Sequence, residues 1–306
     1  MVNSPASKTP PHSVHSVFRI HSTPLAVGSA AVSEHTTVKC RIPNVIWLHK
    51  FDERSTTKIR RSLRVPTSQD LDVEKGSRVL YITVFRKLVP ITSLSGDDFL
   101  SAWWQVVLCH YTLWKHDVHH RDISPNNLLV YWLNGQWIGV LNDYDLSSTK
   151  RDGPSGRERT GTVPFMAVDL LSQPGLKGKV AHLYRHDAES LVWVLVWVCL
   201  GYRGGKLLSN GRLLDDWLKV DALGCWKEKS AFLFHLRHGK AENSNIKPSL
   251  SHQSNWKVAV ACLGTIHYTP VAKIDELSRS ILQKWLLDNV ESVVPDIIAR
   301  YPFNIS

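Results

Sequence analysis

The sequence predicts an α+β fold, a smaller strand-bearing N-terminal part followed by a larger, mainly helical one. Three observations lead there. Residues 78–88 alternate, with Val79, Tyr81, Thr83 and Phe85 on one side, as a half-buried strand requires. Residues 128–132 and 137–141 are short apolar runs around Leu133-Asn134-Gly135-Gln136, and Asn-Gly suits the positive φ angles of a tight hairpin turn. Phe99, Trp103, Val106, Val107, His110 and Leu113 recur at helical spacing, and residues 213–220, 221–238, 256–263 and 274–287 are amphipathic enough for further helices.

Taken in order, the 306 residues are 43% apolar and 21% charged, which suits one two-lobed globular domain and excludes disorder throughout. Residues 1–33 are rich in Ser, Pro, Ala and His without sustained periodicity and read as a loosely ordered arm. No apolar core of a secretory signal occurs in residues 1–21. Residues 34–52 carry Val38, Ile42, Val45, Ile46, Trp47 and Leu48, whereas 53–76 are polar and read as a connection. Ser95 with Asp98 forms an acidic variant of a capping box before the helical stretch. The longest apolar run, residues 191–200, is half the length that crosses a bilayer and reads as a buried element. The expected location is therefore intracellular, cytoplasmic or nuclear, with no membrane partner. Trp217, Trp226, Trp256 and Trp285 are expected in the core.

Cys40, Cys109, Cys199, Cys225 and Cys262 are odd in number, far apart and without a Cys-x-x-Cys pair, as reduced thiols would be. His110, His116, His119 and His120 invite a metal reading, but no cysteine or carboxylate lies among them at zinc-ligand spacing. A net charge of +10 fits nucleic acid, an acidic membrane, or an acidic substrate and nucleotide; no recognised nucleic-acid motif accompanies it. The sharpest basic cluster, residues 58–64, reads as a solvated face.

Chemistry concentrates in residues 118–129. There His120-Arg121-Asp122 is followed by four residues and Asn127, and the predicted hairpin returns Asn142-Asp143-Tyr144-Asp145 toward them. Two carboxylates and an amide so gathered can form a divalent-metal site plus a base. Taken alone, the same residues also read as a polar turn between a helix and a strand, capped by Asp122 and broken at Pro125.

These motifs resemble the protein-kinase catalytic core, and the His-Arg-Asp-Ile-Ser run with an Asp-aromatic-Asp-Leu motif is similar to the fungal-type protein kinase family. Further along, Arg159-Thr160-Gly161-Thr162-Val163-Pro164-Phe165-Met166-Ala167-Val168-Asp169 resembles the end of a kinase activation segment, with Ala167-Val168-Asp169 closing it, and Arg185-His186-Asp187-Ala188-Glu189-Ser190 resembles the start of the central helix of the large lobe. The resemblance implies a kinase-like fold with a reduced β-rich small lobe and hinge in residues 34–92 and a helical large lobe in 93–303. It also overrides strand propensity in residues 191–200, where a helix apolar all round is then required.

The same resemblance implies ATP and Mg2+ as cofactors and a protein as substrate or partner. Asp122 would orient the acceptor hydroxyl or take its proton, Asn127 and Asp143 would hold magnesium, and Lys39 and Glu34 are the nearest matches to the small-lobe Lys and Glu that bind nucleotide phosphates, although Lys39 falls after the strand that carries the family's Lys. Arg121 would pair with a phosphate on the activation segment, at Thr160 or Ser155 in a stretch that also carries Thr162, the alternative being a mobile basic loop without regulation, and His120, Asp187 and Asp169 would give structural support. Departures are also visible. Ser124 stands where most protein kinases have a Lys, Asp145 replaces a Gly, and before Arg78 the only glycines are Gly28 and Gly76, from which no glycine-rich loop can be built. Two expectations follow: an ATP-dependent kinase of protein Ser/Thr hydroxyls, or a pseudokinase acting as a scaffold or allosteric partner. Phosphorylation of a small molecule is a third class, against which residues 159–169 argue, since they resemble a peptide-substrate platform. The sequence does not name the substrate, the pathway or the oligomeric state.

Overall fold

Strands β1 (His15–His21), β2 (Val45–Ser55) and β3 (Val79–Phe85) form an antiparallel sheet in the order β1-β3-β2. The computed structural model describes residues 15–21, 41–63, 79–144, 147–149, 161–238, 246–268 and 277–303. β1 lies inside the stretch expected to be a loose arm: its backbone pairs with β3 from His15↔Phe85 to His21↔Val79, a partner 58 to 70 positions along that local composition does not reveal. The polar stretch after Asp52 is not a plain connection either. β2 continues to Ser55, whose hydroxyl accepts from Lys58 N at 3.2 Å and caps α1 (Thr56–Ser62).

These elements belong to one compact unit, and a second opens at Val89. The reason for that division is pairing: β4 (Val89–Pro90) joins β6 (Leu128–Leu133), which pairs with β7 (Gln136–Leu141). The division thus falls a few residues before the expected boundary at 92. Arg41 and Ile42 also belong to the second unit, where the Arg41 carbonyl accepts from Leu141 N at 3.0 Å.

The hairpin forms as expected. Asn134 and Gly135 adopt φ 48° and 82°, and the register runs from Leu133↔Gln136 to Leu128↔Leu141. Helix α2 (Gly96–Lys115) starts where the apolar spacing places it, but Ser95 makes no side-chain cap bond, so the expected capping box is absent. β5 (Val118–His119) then pairs with β8 (Ser148–Thr149). After α3 (Val168–Leu171) and α4 (Gln173–Leu176) comes α5 (Tyr184–Gly201), the buried centre of this unit.

α5 contains the run that propensity alone makes a strand. Leu191 to Val196 are all fully buried, and α2, α7 (Gln253–Tyr268), α8 (Ser278–Ile281) and the π turn Leu282–Leu287 pack around it. Apolar surface on every side is what an all-round apolar helix needs. The remaining elements are β9 (Tyr202–Arg203), β10 (Lys206–Leu207), α6 (Ala222–His238), α9 (Asp288–Val293) and α10 (Pro295–Arg300). Cys109, Cys199, Cys225 and Cys262 are free and buried. Trp217 and Trp285 are buried, while Trp226 and Trp256 pack on the core from its edge. Among the described residues no helix is long and apolar enough to cross a membrane.

Candidate active site

α2 and β5 deliver the chain to His120, and the hairpin that follows returns it to Asp143. Asn142 N donates to the Asn127 carbonyl at 2.8 Å, so Asp143 stands one residue beyond a cross-strand tie to Asn127. The Asn127 amide is fixed by two bonds: its Nδ2 donates to the Asp122 carbonyl at 2.8 Å and to Asp122 Oδ2 at 3.2 Å. With Nδ2 committed to Asp122, Oδ1 is the atom left for a cation. Asn127 Oδ1 and the Asp143 carboxylate are hard oxygen donors, which suit magnesium. No group of three or more His, Cys, Asp or Glu side chains is gathered for a metal among the described residues, so phosphate oxygens and water would have to complete such a shell.

Asp122 Oδ1 accepts from both the backbone N and Oγ1 of Thr162, each at 2.8 Å. A threonine hydroxyl thus lies on the carboxylate that the motif singles out. Thr162 belongs to the expected activation segment; in the fold its hydroxyl donates to Asp122, and a phosphate there would meet a carboxylate. Ser155, Thr160 and Lys39 lie outside the described residues.

Beneath this loop, His120 donates from Nε2 to the Asn142 carbonyl at 2.9 Å and accepts at Nδ1 from Asp122 N at 3.3 Å, a neutral tautomer. Burial pushes its pKa down, which keeps it neutral. The Tyr144 ring packs edge-on against His120, 5.0 Å between centroids. Asp187, buried at the start of α5, accepts from Arg121 N at 3.2 Å and His110 Nε2 at 3.0 Å on Oδ2, and from His182 Nε2 at 2.7 Å on Oδ1. Burial alone would raise this carboxyl, but the His182 and His110 imidazoles outweigh it and hold it well below the usual range. Arg121 and Asp143 take φ 70° and 67°, left-handed conformations that cost a non-glycine residue about 1–3 kcal/mol each and persist only where surroundings enforce them.

Asp169 accepts from Arg185 at 2.6 Å and His186 at 3.4 Å, and the His186 contact, then Arg185, bring its carboxyl down to about 2 against the effect of burial. Several contributors escaped the sequence reading. Glu189, also on α5, accepts from Val168 N at 2.9 Å; His182 completes the grip on Asp187; Lys229 of α6 reaches the Met166 carbonyl. Glu189 sits in the motif that opens α5 but has no role marked there, and no motif holds His182 or Lys229; what these side chains meet is decided by the packing of the fold.

A His-Arg-Asp loop, the hairpin that follows it and a buried central helix are the α+β architecture of the protein-kinase class. Within it, the profile described as fungal protein kinase matches residues 13–199, more than half of the chain, and the chain belongs to that family. It is similar to the serine/threonine-protein kinase csk1 of Schizosaccharomyces pombe, 29% identical over 153 residues that cover 48% of this chain and 44% of the relative. It is also similar to the CBL-interacting serine/threonine-protein kinase 8 of Arabidopsis thaliana, 31% over 112 residues, 34% of this chain and 24% of the relative. The receptor-interacting serine/threonine-protein kinase 3 of Rattus norvegicus is 27% identical over 112 residues, 35% and 22% respectively. The chain spans less than half the length of each of these relatives.

Proposed function

We propose that this chain is an ATP-dependent protein kinase acting on Ser/Thr hydroxyls. The observation that carries this is the hydroxyl of Thr162 on Asp122 Oδ1 at 2.8 Å: the carboxylate is placed to hold an alcohol oxygen by its proton. A substrate hydroxyl displacing Thr162 would present its oxygen to the γ-phosphorus; its proton passes to Asp122 as the new P–O bond forms and the bond to the bridging oxygen breaks, releasing ADP. Bound magnesium, held by Asn127 Oδ1 and Asp143, would neutralise charge on the phosphate oxygens. Asp187 keeps the backbone at Arg121 in its strained turn, so Asp122 is aimed without reorganisation.

The test is phosphate transfer to a basic peptide mixture and to the protein itself. Asp122→Asn should fold as the parent does and lose about a hundredfold or more in turnover, the scale for a general base. Equal activity in both would remove Asp122 from the chemistry.

One observation favours a second reading, a pseudokinase that serves as a scaffold. Where most protein kinases carry a lysine on the transferring phosphate, this chain has Ser124, which is buried and offers no cation. Nucleotide binding separates the two readings.

A further inference from the structure

α6 carries a lysine that is fully buried. Lys229 Nζ donates to the Met166 carbonyl at 2.5 Å and lies 4.4 Å from the ring centroid of Trp193 on α5 and 5.4 Å from that of Trp217. Burying an ammonium group is costly unless something compensates, and here two indole faces, one carbonyl and the nearby Glu189 carboxylate do so. Burial pushes its pKa down to about 8, against the opposing pull of Cys225 and Glu189, so the group keeps its proton at neutral pH. A methionine or leucine would fill the same volume without that cost, which sets Lys229 apart from ordinary core packing.

Its neighbours bear on the same short segment. One helical turn earlier, the Cys225 thiol lies 3.8 Å from the Val163 carbonyl, and Glu189 accepts from Val168 N while also holding Trp193 Nε1 at 2.9 Å, with His267 at 3.4 Å. Backbone groups at 163, 166 and 168 are thus gripped from below by three side chains on two helices. Thr162, four residues before Met166, is the residue bonded to Asp122.

We propose that Lys229 is a positioning residue for the protein substrate, a cation lodged between two indoles that fixes residues 163–168 as the surface on which the peptide around the acceptor hydroxyl lies. This rests on the kinase reading above. The cation touches neither Asp122 nor Asn127, so its effect belongs to substrate docking and not to nucleotide chemistry.

The experiment uses the full chain with Lys229→Met, which keeps the unbranched stem and removes the charge. Amide hydrogen exchange at neutral pH should quicken about tenfold or more in residues 163–171 and stay at the parent rate in α7. In steady-state kinetics, KM for the protein substrate should rise about tenfold with KM for ATP unchanged. Trp217→Phe, which retains an aromatic ring of weaker cation affinity, should shift both readouts in the same direction by less, and it carries the test if Lys229→Met does not fold. Parent-like exchange in residues 163–171, or a uniform rise over α5, α6 and α7, would overturn the proposal. So would a KM change confined to ATP. A parent chain without phosphotransfer would defeat the kinase reading alone, since exchange still reports whether Lys229 fixes this segment.

Discussion

At the scale of single residues, Asp187 links the fold to the candidate chemistry, because one buried carboxylate takes donors from α2, from His182 and from the Arg121 backbone. Asp187→Ala leaves those buried donors without an acceptor, and the expected cost is about 3–5 kcal/mol in urea denaturation at neutral pH, with loss of whatever turnover the parent has. The sign with pH follows from the depressed carboxyl: its stabilisation is complete above the unfolded-state value of about 3.9 and is lost as pH falls through the lower folded value. His252 works over a different window. It is fully buried, accepts at Nδ1 from Asn255 Nδ2 at 2.9 Å, and burial lowers its pKa to about 4. The unfolded chain therefore takes up a proton near pH 6.5 that the folded chain refuses until about 4, so stability should fall between those values. His252→Gln, which keeps an acceptor for Asn255 and cannot titrate, should flatten that part of the pH profile of the urea midpoint; an unchanged slope would clear His252 of the effect.

At the scale of elements, the hairpin and α2 make a close pair. Gly139 of β7 lies so near α2 that a Cβ there would collide with the Ala102 carbonyl, and Gln105 from the same helix accepts from Gly139 N at 3.3 Å and donates to the Trp137 carbonyl at 3.0 Å. Gly139→Ala should lower stability by about 1–3 kcal/mol, read from the urea midpoint, while Gly135→Ala at the open turn should act only through its positive φ. The sequence announces the hairpin through Asn-Gly, since turn chemistry is local. It gives no sign that the hairpin's middle must be glycine, since the reason is 37 positions away in Ala102. α5 shows the reverse case: local propensity points to a strand, and only the order of motifs along the chain places a helix there. β1 went unread for the same reason as Gly139, its pairing partner being distant, and α1 because a seven-residue helix capped by one serine has too little periodicity to register.

At the scale of the whole molecule, the candidate-site trio could be picked out because Asp122, Asn127 and Asp143 sit within 22 positions on a loop and its adjoining hairpin. The residues that brace it come from two helices and from the segment before α5, and no spacing rule connects Glu189, Lys229 and His182. Whether the trio binds nucleotide turns on how much the site gives up without a glycine-rich loop before Arg78 and without a lysine at Ser124. If Asn127 Oδ1 and Asp143 hold the metal and the metal holds the phosphates, binding should be weak and strictly magnesium-dependent. A dissociation constant of about 1 mM with about 10 mM nucleotide would stabilise the fold by roughly 1.4 kcal/mol through RT ln(1 + [L]/Kd). In a domain of this size that is about 2–4 °C in melting temperature. The shift should vanish when magnesium is omitted and in Asp143→Ala, and it should survive in Asp122→Asn, since the proposed mechanism sets Asp122 on the acceptor hydroxyl and not on the phosphates. No shift under any of these conditions would leave the scaffold reading standing, whereas a shift that persists without magnesium would show a cation elsewhere in the chain taking the phosphates directly.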